Sequence, residues 1–217
     1  MSYTGFLIGN KHTYDDWGLR CYDYKITLPK KQKNLLQIPG RNGKVDVNWE
    51  EQSESYEHRT IKIYCDAPDK NYTAWTNLVS DIANYVQDEY LQVIPDFDSN
   101  YYYRGWVTIE PSKDFKVGSD IVFTIDAEPF KLKKNPTTIV RNVSESDTVI
   151  LHNDKKIVQP QITTDAADVT ITVAGNQYSY STAGTYARAG FYLPEGDTEI
   201  TITGTATVTI EYQEGKL

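Results

Sequence analysis

The chain has 217 residues, 39% hydrophobic and 24% charged, which is enough to bury a core without metal or disulfide staples and too apolar for wholesale disorder. A net charge of −8 argues against nonspecific nucleic-acid binding, which needs basic surface to displace counterions. Two cysteines are too few for a secreted disulfide scaffold, and no apolar run approaches the length of a transmembrane helix.

The opening residues MSYTGFLIGNKHTYDDWG lack a basic start followed by an apolar stretch, so no signal peptide is read there. Cytoplasmic synthesis with no membrane association is the expectation. Ile26-Thr27-Leu28 reads as a strand ending at Pro29, and Lys30-Lys31-Gln32-Lys33 as a solvated loop. Leu35-Leu36-Gln37-Ile38 runs into Pro39, and Gly40-Arg41-Asn42-Gly43 follows. Asn-Gly takes positive φ readily, so a hairpin turn is predicted at Asn42-Gly43. Val45, Val47 and Trp49 then alternate with polar residues, as do Ile61, Ile63 and Cys65, the pattern of half-buried strands. Trp75, Leu78, Val79, Ile82, Ala83 and Val86 form a helical stripe, which places a helix near 71–89 packed on a sheet. Asp69 or Asn71 is its N-cap.

Strands resume at Leu91–Ile94, Tyr102–Ile109 and Ile121–Ala127. Composition changes between Pro129-Phe130-Lys131 and Asn135-Pro136. The remainder is rich in Thr, Val and Ile and carries none of the four tryptophans. Val169–Val173, Glu199–Thr203 and Ala206–Ile210 read as short strands separated by turns, as in a β-sandwich. Two domains are expected, 1–135 and 136–217.

Chemistry-bearing patterns are sparse. His12, His58 and His152 lie in separate segments without metal spacing, no Gly-x-Ser-x-Gly elbow or phosphate loop occurs, and Cys21 and Cys65 read as buried thiols. Asp96-Phe97-Asp98-Ser99-Asn100 starts like a calcium loop, but Tyr101 stands where that loop needs glycine and Val107 where it needs glutamate. A turn whose carboxylates cap backbone amides is expected instead. Tyr101, Tyr102, Tyr103, Arg104 and Trp106 invite a stacking platform, yet strand alternation splits them between two faces. No catalytic residue, metal site or cofactor is predicted.

Taken in order, five stretches resemble the distal tail protein family of long-tailed phages. They are Gly5-Phe6 to Gly9 with Trp17-Gly18-Leu19; Ile38-Pro39-Gly40-Arg41-Asn42-Gly43; Tyr56-Glu57-His58-Arg59; Pro95-Asp96-Phe97-Asp98 through Tyr103-Arg104-Gly105; and Ala127-Glu128-Pro129-Phe130-Lys131. Gln159-Pro160-Gln161-Ile162 and Leu193-Pro194-Glu195-Gly196 extend the likeness more loosely. The resemblance implies a mainly β protein: an N-terminal β-sandwich with one α-helix and a protruding hairpin, then a C-terminal galectin-like β-sandwich. It further implies a homo-hexameric ring, or a stacked dodecamer, at the distal end of the virion tail. Such a ring meets the tail-tube protein on one side and a fibre, lysin or baseplate protein on the other.

Pro39, Gly40, Arg41, Asn42, Gly43, Tyr56, Arg59, Tyr103, Gly105, Pro129 and Phe130 are the candidate assembly or structural residues. The acidic balance suits DNA passing through such a ring without sticking. Two other readings stand beside this one. A host-surface carbohydrate-binding module would use Tyr178, Tyr180, Tyr186 and Tyr192 as exposed aromatics, although His152-Asn153 lacks the downstream partners of a galectin site. A tail-tube subunit is the other.

Overall fold

The computed structural model describes residues 4–33, 35–46, 55–67, 71–114 and 118–217. The fold is mainly β, with one α-helix among the described residues. The chain divides into two compact units between Pro129 and Phe130.

The first unit contains β1 (Phe6–Ile8), β2 (Lys11–His12), β3 (Arg20–Ile26), β4 (Leu35–Gln37), β5 (Lys44–Asp46), β6 (Arg59–Asp66), α1 (Tyr72–Val86), β7 (Glu89–Pro95), β8 (Tyr101–Asp114) and β9 (Gly118–Ala127). Seven of these strands form an antiparallel sheet in the order β2-β1-β7-β8-β9-β6-β3. The period-2 pattern explains its inner face. Ile61, Ile63 and Cys65 lie opposite Ile125, Phe123 and Ile121, and all six are buried. Trp17 stacks on Phe123 with ring centroids 5.8 Å apart and meets Tyr85 of the helix edge-on at 6.0 Å.

Helix α1 covers that face by burying Trp75, Ile82 and Val86. At roughly 2 kcal/mol per fully buried side chain, these three are a substantial part of what holds the helix to the sheet. The Asn71 side chain accepts a hydrogen bond from the Ala74 amide at 2.8 Å, satisfying one of the first-turn donors. Asp69 lies outside the described residues. The helix stops at Val86, short of the predicted 89, because Gln87 is extended and Asp88 adopts φ 58°.

One sequence expectation holds here and one needs correction. Lys30 to Lys33 are an exposed loop, as expected, tied to the segment before β6: Lys31 bridges Tyr56, Gln32 N donates to Ser55 O, and Glu57 N donates to Lys30 O. The hairpin exists as β4 paired with β5, yet its connection is six residues long. Positive φ falls at Gly40 (81°) and Gly43 (83°) rather than at Asn42. Val47 and Trp49 lie outside the described residues.

The second unit contains β10 (Lys131–Lys133), β11 (Thr137–Asn153), β12 (Gln161–Thr164), β13 (Val169–Val173), β14 (Asn176–Tyr180), β15 (Gly184–Ala187), β16 (Gly196–Tyr212) and β17 (Gly215–Lys216). Its frame is a long ribbon in which β11 and β16 pair from Thr137↔Tyr212 to Asn153↔Gly196. Midway, Glu145 (φ 91°) faces Gly204 (φ 133°), a conformation that lets the ribbon bend. On one side of the bend β16 pairs with β13, and on the other with β12, so a single strand serves both halves of the curled sheet. The predicted strands at 199–203 and 206–210 are therefore one strand, and Gly204 is a bend within it, not a turn. Ile200, Ile202, Val208 and Ile210 all point into the core on either side of it. Val173-Ala174-Gly175-Asn176 closes β13 onto β14 through two residues of positive φ, the geometry that matches strand twist.

Candidate assembly surface

The sequence-predicted residues separate into two groups. Pro39, Gly40, Arg41, Asn42 and Gly43 make the exposed tip of the β4–β5 ribbon, which pairs with no other strand among the described residues. A two-stranded ribbon is marginally stable alone in water, and its outer edges carry unpaired backbone groups. Leu35, Leu36 and Ile38 are 51%, 55% and 38% exposed on it, and Leu28 is exposed at the stem. Sequence reading missed these three because an apolar residue in a strand is ordinarily assigned to a core. Lys44 on β5, with Lys30, Lys31 and Lys33 beside the stem, discourages indiscriminate strand pairing. Within the tip, Arg41 N donates to Ile38 O at 3.2 Å, and the Arg41 side chain is exposed. A Cβ added at Gly40 or Gly43 meets nothing within 4 Å, so the demand for glycine there is conformational, not steric.

The second group is internal. Arg59 begins β6 and is only 2% exposed; its Nη2 donates to the carbonyl of Pro129 and its guanidinium lies 5.5 Å from the centre of the Tyr103 ring. Burial pulls the Arg59 pKa below the ordinary guanidinium value, opposed by the charge and hydroxyl of Tyr103. Gly105 sits opposite Ala127, and a Cβ there would lie 2.3 Å from Asp126 O. Glu128 N donates to Arg104 O at 2.8 Å, which fastens the end of the unit to β8. Buried Arg59, Tyr103 and Gly105 thus form one clasp with half-buried Pro129. Tyr56 is half-buried opposite Lys31, and half-buried Phe130 opens the second unit.

The aromatic strand is divided as alternation requires. Tyr102 and Tyr103 are both buried, while Trp106 is half exposed and packs against Tyr90 across the strands, ring centroids 5.3 Å apart. Burial, together with a hydrogen bond to Glu128, pushes the Tyr90 phenol up to about 12. Asp96 forms a short 3₁₀ turn and accepts from Gly5 N at 2.7 Å, with His12 Nε2 at 3.2 Å.

In the second unit the tyrosine set does not make an exposed platform. Tyr180 is fully buried, and burial pushes its phenol up to about 12. Half-buried Tyr178 stacks on Phe191 and donates to Gly190 O; half-buried Tyr186 donates to Thr182 O; Tyr192 is broadly exposed. Their strand faces, invisible without the register, decide this. Asn153 is buried and its Nδ2 donates to the carbonyls of Lys156, Leu193 and Pro194, so the His152-Asn153 pair fastens loops. His152 is exposed and hydrogen-bonded to Asp197 at 2.7 Å, which raises its pKa.

No family model matches the chain, and no curated protein is similar to it in sequence. Among solved structures, the crystal structure of the SPP1 Dit protein, described as a paradigm of the hub adsorption apparatus in phages infecting Gram-positive bacteria, corresponds to it over 100% of both chains. The TM-score is 0.70 at 12% identity. The chain has the Dit fold. Both compact units are included in that correspondence, since it runs the full length. Among the described residues no group of acidic, cysteine and histidine side chains forms a metal cluster, and no helix is long and apolar enough to cross a membrane.

Proposed function

We propose that this chain is a distal tail protein, a non-enzymatic structural subunit of a phage virion. Its copies close a six-membered ring, with two stacked rings as the twelve-copy form, at the end of the tail farthest from the capsid. The ring joins the tail-tube protein to a fibre, lysin or baseplate protein and so serves host adsorption. The observation that carries this reading is the full-length correspondence to the SPP1 hub protein.

The β4–β5 ribbon gives the reading a physical basis. A closed ring of identical copies needs two different, mutually complementary surfaces on each chain. A ribbon that pairs with no further strand among the described residues offers strand hydrogen bonds, and Leu35, Leu36 and Ile38 offer apolar area that docking would remove from water. Arg41 at the tip is placed to meet a neighbour's carboxylate or carbonyl. We read the second unit as a galectin-type sandwich on the outside of the ring, acting as scaffold: burial of Tyr180 removes one of the aromatics a sugar site would have used.

Size-exclusion chromatography with light scattering over a concentration series tests the proposal. A discrete species of six or twelve copies is expected. A chain that stays monomeric at every concentration, and with tail-tube protein added, would overturn it.

A further inference from the structure

Cys21 of β3 and Cys65 of β6 are direct register partners on antiparallel strands, with their sulfurs 2.8 Å apart. Opposed residues in such a ladder have Cα atoms roughly 4.5–5.5 Å apart, inside the range that a disulfide spans. The two positions differ in access. Cys65 is fully buried, whereas Cys21 is half-buried and lines an open cleft of about 320 Å³ together with Phe6, Tyr24 and Phe97. A β-bulge follows Cys21, loosening the ladder beside it.

We propose that Cys21 and Cys65 are a redox-active dithiol pair that closes to an intrachain disulfide when the protein meets a small-molecule disulfide oxidant. The roles of the sulfurs follow from their surroundings. The Cys65 thiol hydrogen-bonds Cys21, and that bond outweighs partial burial to hold the Cys21 pKa below the usual thiol value. Cys21 Sγ also lies 3.3 Å from Thr13 Oγ1, a contact that lowers the Cys21 pKa further. The same bond to Cys21, added to burial, pushes Cys65 up and keeps it protonated. Cys21 is therefore the attacking sulfur and Cys65 the resolving one.

Cys21 thiolate attacks one sulfur of the oxidant, forming a mixed disulfide and expelling one thiolate. Cys65 loses its proton to solvent, attacks Cys21 and expels the second thiolate. Two S–H bonds are replaced by one S–S bond, and the oxidant takes up two electrons. The link encloses the segment that carries the β4–β5 ribbon, tying its roots together outside a reducing cytoplasm. This chemistry does not depend on the tail-protein reading.

Reduced full-length protein incubated natively with oxidised glutathione, then denatured, alkylated and mapped by mass spectrometry, tests the pair. The expected product is a Cys21–Cys65 peptide lacking two hydrogens, with no retained glutathione and full reversal by dithiothreitol. Cys65→Ala should trap glutathione on Cys21, while Cys21→Ala should leave Cys65 unmodified. Two alkylated cysteines, glutathione retained on the wild-type protein, or a link between two chains would each overturn the proposal. Should a variant fail to fold, the wild-type map alone decides.

Discussion

Gly105→Ala probes the clasp that closes the first unit. The added methyl group would sit 2.3 Å from Asp126 O and 2.6 Å from the Ala127 Cα, about 1 Å inside ordinary contact. Both obstacles are backbone, so no side chain can swing away. Strands β8 and β9 must separate locally, weakening one or two ladder hydrogen bonds at about 1 kcal/mol each. Overpacking adds roughly 1–3 kcal/mol, so a loss near 3 kcal/mol is expected, or roughly 10 °C in unfolding midpoint for a unit of this size. Tryptophan fluorescence is the right assay because all four tryptophans precede residue 107, making the signal specific to the first unit. A loss below about 1 kcal/mol would refute the steric argument.

Asn153→Asp places a carboxylate among the three carbonyls that now accept from Nδ2, and a loss of roughly 3 kcal/mol is expected from the second unit by near-ultraviolet circular dichroism. Leu35→Ser combined with Leu36→Ser should abolish self-association in light scattering while leaving the tryptophan-monitored midpoint unchanged, since neither side chain is buried. Glu214 gives a pH signature. Burial alone would raise its pKa, but hydrogen bonds from Thr137 and Lys133 and the lysine charge overcome this and hold it below the ordinary 4.5. Its contribution is therefore present above that value and lost as pH falls through the depressed one; Glu214→Gln should flatten acid unfolding in that window.

Much of the core was legible because burial imposes a period. The alternation of Ile61, Ile63 and Cys65 and the stripe of Trp75, Ile82 and Val86 predict faces that the structure buries. Local signals were weaker where one residue type serves two geometries. Gly204 has the chemistry of a turn but bends a continuous strand, and Asn42-Gly43 has that of a two-residue hairpin but belongs to a longer loop. Tyr180 reads from the sequence as an exposed aromatic, not as a buried one, because only pairing with Val169 fixes its face. The clasp joins Arg59, Tyr103, Gly105 and Pro129 across long sequence separations, which no periodicity records. The family resemblance drew attention to these residues; their contacts came from the fold.

Immunogold labelling of intact virions carrying this chain addresses the central claim most directly. A self-docking tail-tip subunit predicts gold confined to the tail extremity opposite the capsid. Label along the tube, on the capsid, or absent from the particle would contradict it.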